Sequence, residues 1–148
     1  MKHLKIVLKV IIVLFVIASV YSFFNISGQE IKFVDKLLEA KSVTVIVMNE
    51  DGDERAEYNL NTTQIEQFKK LIEENSYTRR ITSTIVGVLP DKRYTIFANW
   101  NDGGQKHLQI SLIGGEYIQI SGEYGSHYHK INNPDFENQL NSILGAEI

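Results

Sequence analysis

The chain has no cysteine, two prolines (Pro90 and Pro134), one tryptophan and, between Lys9 and Glu30, no charged side chain. Each shortage excludes something. Without cysteine there is no disulfide staple, no thiolate nucleophile and no cysteine-held zinc. Lipid attachment, which needs a cysteine after an apolar leader, is also excluded. A basic excess is missing too. Lys2, Lys5 and Lys9 belong to the amino-terminal segment, which leaves twelve basic against eighteen acidic residues beyond Ser27. That balance argues against a nucleic-acid partner, whose binding leans on Lys and Arg neutralising phosphates, and against a polybasic grip on anionic lipid. Catalytic signatures are absent as well: no Gly-x-Ser-x-Gly elbow, no His-Glu-x-x-His, no phosphate loop. No cofactor and no catalytic residue are expected, and the chain reads as a non-enzyme.

What is present begins with the uncharged run. After the basic start come Val10, Ile11, Ile12, Val13, Leu14, Phe15, Val16 and Ile17, with Tyr21, Phe23 and Phe24 at its end. A helix needs about 20 apolar residues to cross a bilayer, and Leu4 to Phe24 supplies them if Lys5 and Lys9 snorkel to the headgroups. Lipid forces the β-branched run into helix, because every backbone group must bond internally. The aromatic residues at its end fit an interfacial belt. The lysines on one side, against a near cancellation of Glu30, Lys32, Asp35 and Lys36 on the other, place the amino terminus in the cytoplasm and the rest outside. A cleaved signal peptide has the same parts, with Ala18, Ser19 and Ser22 as small residues, and the protein would then be secreted. Tyr21 and Phe23 crowd that cleavage site, which favours an anchor. The expected division is an anchor over residues 1–28 and one extracytoplasmic domain over 29–148. A cysteine-free exported domain fits a Gram-positive bacterium.

The domain reads as α+β. Ile31, Val34, Leu37 and Leu38 predict a helix over Gln29–Lys41. Ser42–Asn49 is a strand apolar on both faces, followed by an acidic turn at Glu50–Asp53 and a more polar strand over Glu54–Leu60. Thr63 with Glu66 predicts a capping box for a helix striped by Ile65, Phe68, Leu71 and Ile72, with a Glu66–Lys70 pair. Tyr77–Val88 reads as strand then loop. Three strands then alternate: Tyr94, Ile96, Ala98 and Trp100 share one face, Leu108, Ile110 and Leu112 follow, then Ile118 and Ile120, with Asn101–Gly104 and Gly114–Gly115 as turns. A last strand is expected over about His127–Ile131. Pro134 opens a final helix with Phe136, Leu140, Ile143 and Leu144 inward and Gly145 as its cap. The alternation implies an antiparallel meander with helices packed on one face.

Four groups of residues invite chemistry. His127 and His129, two apart on a strand, could join His107 and a carboxylate such as Glu116 or Glu123 around zinc. Solvated histidines on the open face explain the same pattern, and a metal site is not expected. Asn49–Glu54 is acidic enough to suggest calcium, but the glycine of a calcium loop falls too early at Gly52. Arg79 and Arg80 could receive a carboxylate or phosphate, or pair with Glu73 and Glu74 at the nearby helix end. Tyr117, Tyr124 and Tyr128, with Trp100, bring aromatic surface to the last hairpin, as interfaces and sugar sites do; Tyr and Trp are also ordinary strand formers.

The order of apolar segment, hairpin, capped helix, Thr78-Arg79-Arg80, Tyr117-Ile118 and Tyr124-Gly125-Ser126-His127-Tyr128 resembles a domain of unknown function in small exported or membrane-anchored proteins of Gram-positive bacteria. The resemblance covers about Lys41 to Asn132. It departs after the arginines, where a Ser/Asn-Asp-x-Pro element is replaced by Thr82-Ser83 and a later Pro90. It implies location but no chemistry, so no site residue carries over. The resulting expectation is a single-pass membrane protein whose domain binds an envelope protein or glycan through an inhibitor-like surface. An envelope hydrolase using His127 or His129, and a surface metal-binding domain, are the alternatives.

Overall fold

A computed structural model describes residues 2–31, 34–49, 55–80, 92–101, 105–121 and 128–145. The chain is α+β. A long apolar helix, α1 (Lys2–Phe24), precedes a single antiparallel sheet of eight strands in the order β1-β4-β8-β7-β6-β5-β2-β3. The strands are β1 (Asn25–Ser27), β2 (Ser42–Asn49), β3 (Arg55–Asn59), β4 (Ser76–Arg79), β5 (Lys92–Asn101), β6 (Gln105–Ile113), β7 (Tyr117–Ser121) and β8 (Tyr128–Ile131). Two more α-helices are described, α2 (Thr62–Glu73) and α3 (Phe136–Leu144).

The consecutive hairpins β5 to β8 form the meander that the alternation predicts. Residues directly opposite one another in an antiparallel pair lie on the same face of the sheet. One face therefore carries the row Val47, Tyr94, Leu112, Ile118, His129 and Arg79, followed by rows through Val45, Ile96 and Ile110 and through Val43, Ala98 and Leu108. Those aliphatic residues and Tyr94 enter one core cluster with Ile65, Phe68, Leu71 and Ile72 of α2 and Phe136, Leu140 and Leu144 of α3. Both helical stripes are thus buried on this covered face.

Several local elements differ from the sequence reading. The helix expected over Gln29–Lys41 is replaced by two short 3-10 helices, Gly28–Glu30 and Val34–Glu39. Val34 and Leu37, three apart, are buried while Leu38 is 48% exposed, so the pattern has the period of a 3-10 turn and not of an α-helix. The capping box of α2 forms two residues earlier than predicted: the Asn61 side chain accepts from the Gln64 backbone N–H, and Gln64 returns a bond to the Asn61 N–H, each 3.0 Å. Lys70 pairs with Glu74 at 3.6 Å, and Lys69 with Glu73, in place of the expected Glu66–Lys70 pair. The helix after Pro134 starts at Phe136, two residues past the proline, while Gly145 closes it with φ 67° as anticipated.

The junction between α1 and the sheet has no loop. Asn25 ends the helix by donating to the Tyr21 carbonyl at 3.0 Å and is already opposite Thr78 in β4. Gly28 then passes against the end of α2. Its N–H donates to the Asn75 carbonyl at 2.8 Å, and a Cβ there would lie 1.9 Å from the Ile72 carbonyl oxygen. Only glycine permits that approach.

Candidate binding surface

The alternate residues of the same strands build the other face. One row crosses seven strands: Met48, Arg93, Ile113, Tyr117, Lys130, Thr78 and Asn25. The next runs Ile46, Thr95, Ser111, Gln119 and Tyr128, and a third runs Thr44, Phe97 and Gln109. Among the described residues no helix buries its apolar stripe here. Ile46, Met48, Phe97, Tyr117 and Tyr128 are half-buried. The centre is tighter, with Thr95 at 7% and Ile113 at 4% exposure. Among the described residues the face mixes aliphatic, aromatic and amide side chains, a composition suited to contact with another surface, and shows no nucleophile–base pair.

The expected site residues divide between the two faces. Tyr117 and Tyr128 lie on the uncovered face, one row apart. Arg80, the residue after β4, joins them: its guanidinium lies over the Tyr117 ring, 5.2 Å from the centroid. Arg79, its neighbour on a strand, must point the other way, and its guanidinium lies over the Phe23 ring of α1 at 4.6 Å. Trp100 is on the covered face, where its indole N–H donates to the Lys36 carbonyl at 3.0 Å and fixes the 3-10 helix to β5. It does not join the tyrosines. Tyr124 and His127 fall outside the described residues, as does most of the acidic turn. His107 is placed only by its backbone, opposite Asn99 on the uncovered face. His129 lies opposite Arg79 and Ile118 on the covered face. The pairing of Arg79 and Arg80 with Glu73 and Glu74 is not seen, because those carboxylates are taken by Lys69 and Lys70. Among the described residues no group of three His, Asp or Glu side chains is placed to hold a metal.

One polar cluster escaped the sequence reading. The Tyr94 hydroxyl, buried on the covered face, hydrogen-bonds to a Glu137 oxygen at 2.8 Å and to the Asn141 side-chain oxygen at 3.0 Å. The second Glu137 oxygen accepts from the Gly115 N–H at 3.1 Å. The cluster locks α3 onto the β6–β7 turn, and its signal was the Glu137/Asn141 spacing of one helical turn. Burial, and then the Glu137 carboxylate, push the Tyr94 hydroxyl well above its ordinary value; burial alone does the same for Tyr77.

α1 is apolar and uncovered. Residues Ile6–Phe24 are long and apolar enough to cross a membrane, by length and composition. Every large apolar side chain from Ile6 to Val20 is more than half exposed. No family model, curated protein or solved structure matches this chain.

Proposed function

We propose that the protein is a single-pass membrane protein with a cytoplasmic amino terminus, and that its extracytoplasmic domain is a binding, inhibitor-like module for an envelope protein or glycan. The observation that carries the reading is the uncovered face, where Tyr117 and Tyr128 lie one row apart on neighbouring strands and Arg80 lies over the Tyr117 ring. The exposed apolar helix supports the anchor, since an apolar surface of that extent needs lipid or a partner to cover it. Lys2, Lys5 and Lys9 support the orientation. The mixed face and the absence of a catalytic constellation among the described residues support binding over turnover.

Because the chain lacks cysteine, single cysteines report topology without background. Asn138→Cys is expected to react with a membrane-impermeant maleimide in intact cells, and Lys5→Cys only after lysis; the reverse would overturn the orientation. Full-length protein in detergent, immobilised and exposed to envelope extract, is expected to capture one partner saturably. Tyr117→Ala with Tyr128→Ala is expected to weaken capture by about tenfold or more, the size of aromatic hot-spot losses. No saturable partner, or equal capture by the double variant, would sink the proposal.

A further inference from the structure

We propose that the end of β4 that carries Arg79 and Arg80 contacts the phosphate groups of the bilayer holding α1. This rests on the anchor reading above. Asn25, the first residue past the apolar helix, is opposite Thr78. Strands advance about 3.3 Å per residue, so Arg79 and Arg80 lie level with the end of α1. Ser76 is opposite Ser27, so Glu73 and Glu74, which precede it, lie towards the other end. Charge in an otherwise acidic domain is therefore sorted from the end of α2 along β4, anions away from α1 and cations towards it. Lys130, exposed and opposite Thr78, adds a third cation at the same level.

The two guanidiniums are also presented in the right way. Each lies over a ring, Phe23 at 4.6 Å and Tyr117 at 5.2 Å. A stacked guanidinium is held in position and still has donors to offer in its own plane. The nearest carboxylates in sequence are engaged by Lys69 and Lys70. A phosphate oxygen pair is the natural complement of such a fork, and headgroup phosphates are what a bilayer presents just outside the apolar span. The net acidity of the domain opposes a broad basic grip; it does not oppose two arginines placed at the membrane exit.

Full-length protein reconstituted in phosphatidylcholine vesicles, with and without phosphatidylglycerol, tests this by amide exchange over residues 76–80. If headgroups hold this end of β4, anionic lipid slows exchange by about fivefold for each arginine engaged. The slowing should vanish in Arg79→Gln/Arg80→Gln, persist largely in the double lysine variant, and be unchanged by Lys92→Gln. Arg80→Gln alone, which leaves the Arg79–Phe23 contact intact, should remove about half of it on a logarithmic scale. Equal exchange in the two vesicles, or equal slowing in the double glutamine variant, overturns the contact. Alkaline carbonate extraction separates the two readings. Protein released by carbonate defeats the anchor, and the headgroup contact with it; protein retained but insensitive to lipid charge defeats the contact alone.

Discussion

The two faces of this sheet come from the same strands and differ by one residue of register. On the covered face Val45, Ile96, Ile110 and Ile118 meet Phe68 and Phe136 with almost no solvent contact. On the uncovered face Ile46, Phe97, Ser111 and Gln119, in neighbouring rows, are each only half-buried. The difference teaches where stability and recognition are placed. Apolar area removed from water on one side holds the fold, and the polar, aromatic and aliphatic groups left available on the other are the surface that the proposed binding role would use. α1 joins this division at the β1 edge, so the sheet follows the apolar helix without a linker.

The largest expected effect lies in the covered face. Phe68→Ala removes a fully buried ring between α2 and the sheet and is expected to cost about 3–5 kcal/mol, measured by denaturant unfolding of the full chain. A loss near 1 kcal/mol would show that the site collapses freely and that the covered face is not the structural one.

The polar exception on that face sharpens the comparison next. Tyr77 donates to the Ile72 carbonyl at 2.9 Å, Tyr94 holds Glu137 and Asn141, and both hydroxyls are raised above the ordinary 10.0. The unfolded chain then releases these protons first as pH rises. Stability is fully present below about pH 10 and is lost above it, with a slope of about 1.4 kcal/mol per pH unit for each tyrosine. Tyr77→Phe should halve that slope. An unchanged slope would mean that Tyr77 is not buried in its neutral form. Tyr94→Phe at neutral pH is expected to cost about 1–2 kcal/mol by stranding Glu137 and Asn141.

How far this division could be read from the sequence depends on period. In β5, β6 and β7 a strict alternation marks the covered set, and the stripes of α2 and α3 mark their inner faces. β2 is apolar in both alternating sets, so its pairing decides what its sequence cannot: Val45 faces in because it is opposite Ile96. β1 is invisible because Asn-Ile-Ser has no period and its partner lies some fifty residues on. The candidate surface is legible in part. Tyr117 and Tyr128 share a face by register, whereas Trp100 already belongs to the alternating set of Tyr94, Ile96 and Ala98. Adjacent Arg79 and Arg80 read as one cationic spot in sequence, but a strand sends neighbours to opposite sides. Only the pairing of β4 with β1 on one side and β8 on the other shows that one meets α1 and the other meets Tyr117.

The smallest effect is the one that can break the comparison. Phe97 is as large as Phe68 and sits in a central strand, but on the uncovered face, opposite Thr44 and Gln109. Half-burial by strand neighbours gives it about 1 kcal/mol of transfer free energy, so Phe97→Ser should lower stability by about that much while leaving the alkaline slope intact. Its effect on capture of an envelope partner should then exceed its effect on folding. If Phe97→Ser instead destabilises the chain as much as Phe68→Ala, Phe97 is packed as deeply as the covered face. The sheet then has two cores, and the surface available to a partner shrinks to the patch formed by Tyr117, Tyr128 and Arg80.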